Sequence, residues 1–206
     1  MSLLLIRHGE TPLNVARVLQ PVDTPLSARG VEQAHALARR LARLGIGAIL
    51  SSDLARALQT AEIIAAASGA SIETTPLLHE RNFGDWRGLP YDRLPRDPLT
   101  MREPPPGGES TPAFEDRAAQ AFALAVRRAA ETQGALAIVT HGLLIRVLLE
   151  RHAALPVGLA LPTHLGNTSL SVLAKASPHA ASLLNCTAHL DPTPELTDDA
   201  RALSGG

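Results

Sequence analysis

Four bulky aliphatic residues, Leu3-Leu4-Leu5-Ile6, run straight into Arg7-His8-Gly9-Glu10-Thr11, and this junction limits the fold more than any other stretch. A short, uninterrupted apolar run ending in a glycine turn reads as a strand buried on both faces. Such strands belong to parallel sheets covered by helices, where ligands bind outside the carboxyl ends of the strands. Arg7 and His8 therefore stand where a ligand is expected, and Gly9 lets the backbone turn sharply beside it. A second junction of the same form, Ala135 to Thr140 followed by His141-Gly142, comes later. If the two strands are parallel neighbours, both imidazoles face one pocket.

The rest of the chain supplies the covering helices. Pro12 to Gln20 is predicted as a helix, since proline is favourable at a first helical position, and its N-terminal amides would attract an anion. Ser27 caps a longer helix with Ala34, Leu37, Ala38, Leu41 and Leu44 on one face, and Gly45 ends it. Strands are predicted at Ile46 to Leu50, Ser71 to Thr75 (near an edge), Ala135 to Thr140, Thr168 to Ala174 and Ala181 to His189. Helices are predicted at Leu54 to Ala67, Ala113 to Thr132 and Gly142 to His152. The stretch from Pro76 to Pro112 is too rich in Pro, Gly and charge for regular structure. A loop of that length in a compact domain is usually functional. The alternation predicts an α/β fold: a three-layer sandwich with a mostly parallel central sheet and helices on both faces. Residues 1–190 form one domain in this reading, and 191–206 a loosely ordered tail.

Composition excludes several functions. Hydrophobic residues make up 45% but aromatics only 2%, so the core must be aliphatic. A formal net charge of −1 offers no bulk attraction to nucleic acid or an anionic membrane. Lys175 is the only lysine among 19 basic residues, so a lone surface arginine carries little information. Cys186 has no disulfide partner and is expected to be a small buried hydrophobe. With no apolar run of about 20 residues and no leader-like start, a cytoplasmic protein is expected. A homodimer is among the assemblies the sequence permits.

Five ordered segments carry a resemblance. They are Arg7-His8-Gly9-Glu10-Thr11, Ser51-Ser52-Asp53-Leu54-Ala55-Arg56-Ala57-Leu58-Gln59-Thr60-Ala61, Glu80-Arg81-Asn82-Phe83-Gly84-Asp85-Trp86, Gly107-Gly108-Glu109-Ser110 and Val139-Thr140-His141-Gly142. In this order the chain resembles the histidine phosphatase superfamily, the phosphoglycerate mutase-like enzymes. The resemblance implies that His8 is a nucleophile forming a phosphohistidine, and that Arg7, Arg56 and His141 hold the phosphoryl oxygens. It implies Glu80 as general acid-base, with Asn14 and Gly142 as further substrate-binding positions. Alone, His8 would more often be a hydrogen-bonded strand-end histidine, and Arg56 a solvated helix charge. The ordered segments reverse those odds. Two departures stand out: Pro21 where the family usually has glycine, and Arg87 where it commonly has glutamate.

The chemistry is consistent with that division of labour. Guanidinium forks match phosphoryl oxygens and stay charged at any working pH. A nucleophilic imidazole must be unprotonated; nearby arginines disfavour its cation, and its other nitrogen should donate to a backbone carbonyl. Glu80 competes for the acid's role with Glu109, and is preferred because it precedes the Phe-Gly-x-Trp segment. Phe83 and Trp86 are expected to anchor their loop to the core. No His-x-His or His-Glu-x-x-His spacing and no glycine-rich nucleotide loop occurs, so neither metal nor cofactor is expected. The reading is a phosphomonoester hydrolase acting on a small phosphorylated metabolite. A bisphosphoglycerate-dependent mutase and a non-catalytic phospho-ligand binder are the alternatives. The short, nearly charge-balanced segment from Leu89 to Pro106 resembles the phosphatase branch.

Overall fold

The opening apolar run forms β1 (Ser2–Arg7), and Leu3, Leu4, Leu5 and Ile6 are all buried. The computed structural model describes residues 2–96, 101–158, 161–162 and 164–191, so the expected tail lies almost wholly outside the described residues. β2 is Ile46–Ser51, β3 Ser71–Thr74, β4 Ala135–Thr140, β5 Leu170–Ala174 and β6 Ala181–Cys186. They make one sheet in the order β3-β2-β4-β1-β5-β6, with β3 at an edge as expected. The pairings β3-β2, β2-β4 and β4-β1 are parallel, while β5 runs antiparallel to β1 and to β6. The sheet is mixed and mostly parallel.

Alternation along β1 sends its side chains to opposite faces. Leu4 and Ile6 pack with Leu37, Leu41, Ala57, Ala61 and Ile64, from α2 (Ala28–Leu41) and α3 (Ala55–Ser68). Leu3 and Leu5 pack with Phe114, Ala118, Phe122, Leu144 and Leu148, from α4 (Thr111–Glu131) and α5 (Gly142–His152). The result is the three-layer arrangement. Full burial of each such Leu or Ile contributes about 1.5–3 kcal/mol, so β1 alone anchors both cores.

Three local expectations need correction. The helix after β1, α1, is a single turn, Pro12–Val15, and Arg17 stands at φ 55. The chain leaves the helix there because residues 17–19 pair elsewhere: Leu19 N–H donates to Leu89 O at 3.0 Å, and Tyr91 N–H to Arg17 O at 2.8 Å. Thr11 and Asn14 close the start of that turn in a reciprocal capping box, which replaces the expected anion-attracting helix end. β6 stops at Cys186, after Asn185 enters the left-handed region at φ 49. Cys186 is half-buried, not a core residue, and its Sγ accepts from Arg40 Nη1 at 3.2 Å. Within the described part of 76–110 the helical structure is limited to short 3-10 turns, at Pro76–Leu78, Gly84–Trp86 and Tyr91–Arg93, and α4 starts at Thr111. Among the described residues, no helix is long and apolar enough to cross a membrane.

Candidate active site

β1 and β4 are parallel neighbours with Arg7 opposite Thr140, so the residues that follow, His8 and His141, leave the sheet side by side. Their rings lie 5.2 Å apart at 58°. His8 Nδ1–H donates to Gly9 O at 2.7 Å; a carbonyl can only accept, so the lone pair is left on Nε2. Burial first, then Arg7 and Arg56, hold the His8 pKa well below the ordinary 6.5. Arginine repulsion was legible in the sequence; the larger cause, desolvation, was not. The turn after His8 is pinned on two sides. Gly9 N–H donates to Thr60 Oγ1 at 3.1 Å, and Asn167 Nδ2 to His8 O at 3.2 Å.

Arg7 and Arg56 come from different layers. Arg7 ends β1, where its Nη1 donates to Leu165 O. Arg56 lies in the first turn of α3 and is 3% exposed, with Nη1 donating to Pro21 O at 3.1 Å. That carbonyl also accepts from Thr24 Oγ1, so the backbone at the unusual proline serves as an acceptor. Burial lowers the Arg56 pKa to about 10, with Glu80 opposing the shift and Arg7 and Arg87 adding to it. Both guanidiniums retain a buried Nε–H without a partner.

Glu80 comes from the irregular stretch after β3. Its carboxylate accepts from Arg81 N at 3.1 Å and from Leu143 N at 3.1 Å, the second amide of α5. An acidic group at a helix start satisfies an otherwise orphan donor there. His141, the residue capping α5, makes no side-chain cap bond. Its Nε2 is 3.0 Å from Ser52 Oγ, and its Nδ1 is buried without a partner. Burial first, then Arg56, keeps the His141 pKa well below 6.5.

Six of the seven expected site residues, Arg7, His8, Asn14, Arg56, Glu80 and Gly142, line one cavity of about 860 Å³. His141 is fully buried and does not line that cavity, although its ring lies 5.2 Å from that of His8. Glu109, the competitor of Glu80, does not line that cavity; it faces an adjoining hollow that Glu80 and Arg87 also border, and is bound to Arg117. Phe83 is buried, yet it also lines the cavity. Sequence reasoning missed Asn167, Thr60, Arg17 and Tyr91. Thr60 was within reach, four residues past Arg56 in the same segment. Asn167 carried no charge or motif to mark it. Seven arginines line the cavity against one carboxylate, Glu80, among the described residues. In a chain of net charge −1 this is segregation, and it creates a field suited to an anionic ligand.

The chain is similar to several known proteins in sequence and fold. The model of the histidine phosphatase superfamily (branch 1) matches residues 3–185. Probable phosphoglycerate mutase GpmB of Yersinia pestis is 36% identical over 207 residues, spanning 93% of this chain and 95% of that one. A mycobacterial glucosyl-3-phosphoglycerate phosphatase solved with VO3 is 32% identical with a TM-score of 0.72, over 84% of this chain and 90% of its own. A putative alpha-ribazole-5'-P phosphatase from Escherichia coli K-12 is 25% identical with a TM-score of 0.77, over 91% and 97%.

Proposed function

The chain belongs to branch 1 of the histidine phosphatase superfamily, and from that premise we propose that it is a metal-independent phosphomonoester hydrolase working through a phosphohistidine. One observation carries the reading. A neutral His8, with its Nδ1–H engaged by Gly9 O, shares a cavity wall with Arg7, Arg56 and Glu80. In the first step the His8 Nε2 lone pair forms a bond to phosphorus while the ester P–O bond breaks. Glu80 in its protonated form delivers its proton to the departing alkoxide. Arg7 and Arg56 carry the charge on the phosphoryl oxygens and line them up for displacement. With the Ser52 hydroxyl donating to Nε2, His141 carries its proton on Nδ1, a buried donor without a protein partner. Because the ring does not line the cavity, it serves those oxygens only once the wall beside His8 shifts to admit them. In the second step the Glu80 carboxylate takes a proton from water, whose oxygen attacks phosphorus. The P–N bond breaks, releasing phosphate and restoring both residues.

A mutase remains the second reading, because the GpmB relative bears that name. The segment beside the cavity favours hydrolysis: its Arg96 is tied to Glu103 at 3.1 Å and so has less charge to offer a second anionic group.

Two variants test the mechanism. His8→Ala should lose turnover and the acid-labile, base-stable phosphate that the wild-type chain traps. Glu80→Gln should lose ~10²–10⁴-fold on alkyl phosphates, where the alkoxide needs a proton, and far less on nitrophenyl phosphate. Label trapped in His8→Ala, or equal losses on both substrates in Glu80→Gln, would overturn the assignments. Isomerised ester without released phosphate would favour the mutase.

A further inference from the structure

Glu80 presents a physical problem, because it sits in irregular backbone where neither helix nor sheet holds it. We infer that Arg117, on α4 and outside the substrate cavity, is the positioning residue for Glu80, with Glu109 as its counter-ion. The inference rests on the assignment of Glu80 as the acid.

The hydrogen bonds around this stretch can be accounted for one by one. Arg117 Nε and Nη2 grip Glu109 Oε1 and Oε2 at 2.9 and 2.8 Å, a bidentate pair. Nη1 donates to Leu77 O at 2.9 Å and His79 O at 2.8 Å, and Nη2 to Glu80 O at 3.3 Å. The guanidinium's five N–H donors are thus all engaged. Leu78 O, the remaining carbonyl in the run, accepts from Thr140 Oγ1 at 2.6 Å, at the end of β4. Four consecutive carbonyls that secondary structure would normally satisfy are therefore held by two side chains. Beyond Glu80, Asn82 N–H donates to Glu109 Oε2 at 3.2 Å, and Glu109 N–H to Asn82 O at 2.8 Å. The backbone is fixed on both sides of Glu80, while amides of Arg81 and Leu143 fix its carboxylate.

Lysine cannot reproduce the fork, since one ammonium cannot span three carbonyls and a carboxylate. Without the fork the stretch turns to water for its hydrogen bonds and drifts. A displacement of about 1 Å can cost ~10²-fold in a reaction that depends on alignment. The loss should fall on proton delivery alone, because Arg117 does not touch the substrate cavity.

The test is a double-mutant cycle on the phosphorylation burst, with an alkyl phosphate and nitrophenyl phosphate as substrates. Arg117→Lys should slow the alkyl ester ~10–100-fold, leave nitrophenyl phosphate within a few-fold, and leave KM unchanged. In a Glu80→Gln background the same change should add almost nothing, because two residues acting through one step are not additive. Glu109→Gln keeps the shape, weakens the pair, and should show the same pattern more mildly; it stands in if Arg117→Lys fails to fold. Additive losses, or equal losses on both esters, would overturn the positioning role while Glu80→Gln alone still discriminates between them. If Glu80→Gln itself shows no leaving-group dependence, the acid has been misassigned and both ideas fall.

Discussion

His8 and His141 are buried as neutral rings, and burial, reinforced by nearby arginines, keeps both from protonating at the ordinary 6.5. Below that value the unfolded chain binds protons that the folded chain refuses, so stability must rise with pH up to about 6.5. The contribution is present above 6.5 and lost as the solution is acidified towards the native values. Each ring adds up to about 1.4 kcal/mol per pH unit in that window. His189, lowered to about 4 mainly by burial, adds in the same direction. Urea midpoints between pH 7 and 5 should therefore fall steeply, and less steeply in His8→Asn; an equal slope would contradict the burial argument. At this scale the sequence was legible where a motif marked the residue. Arg7, His8 and Arg56 reach the cavity as expected. Asn167 escaped because its contribution is a pair of amide hydrogen bonds, to His8 O and Asn14 Oδ1, made by a segment more than 150 residues away.

Among elements, α2 does more than cover the sheet. Its backbone at Gly30 lies so close to the turn after β1 that a Cβ there would meet Glu10 O at 2.0 Å. Ser27 N–H donates to Glu10 O and Gln33 Oε1 accepts from Glu10 N, both at 2.9 Å, so the start of α2 grips the loop leading from His8. Gly30→Ala must push helix and loop apart. Overpacking of this kind costs about 1–3 kcal/mol or more, and turnover should fall with it. Thermal melts and kcat of Gly30→Ala check this; a wild-type value for both would mean the contact yields. Helices and strands were readable to within a few residues wherever hydrophobic periodicity set them, as in α2, α3 and β4. The helix after β1 was overextended because no local signal shows that residues 17–19 pair with residues 89–91. The long stretch before α4 was unreadable for a related reason, since Arg117 and Glu109 order it from a distance.

Across the whole molecule, net charge was a poor guide and strand adjacency a good one. The balance of −1 conceals a cavity that, among the described residues, is lined by seven arginines and one carboxylate. The pairing of β1 with β4, anticipated from two similar strand ends, is what brings His8 and His141 together. The antiparallel return of β5 has a practical corollary. Ala174 pairs with Ser2, so Lys175, the sole lysine, stands at the beginning of β1 while His8 stands past its end. Six strand residues separate those two ends, roughly 20 Å at about 3.3 Å per residue. An aldehyde- or ester-activated bead that takes Lys175, in place of its bond to Thr132 O, should hold the molecule by the end opposite His8 and leave the cavity mouth turned towards the bulk. Beads so loaded should match the free enzyme in KM, whereas carboxylate-directed coupling, with acids spread over many faces, should yield a mixed and partly occluded population.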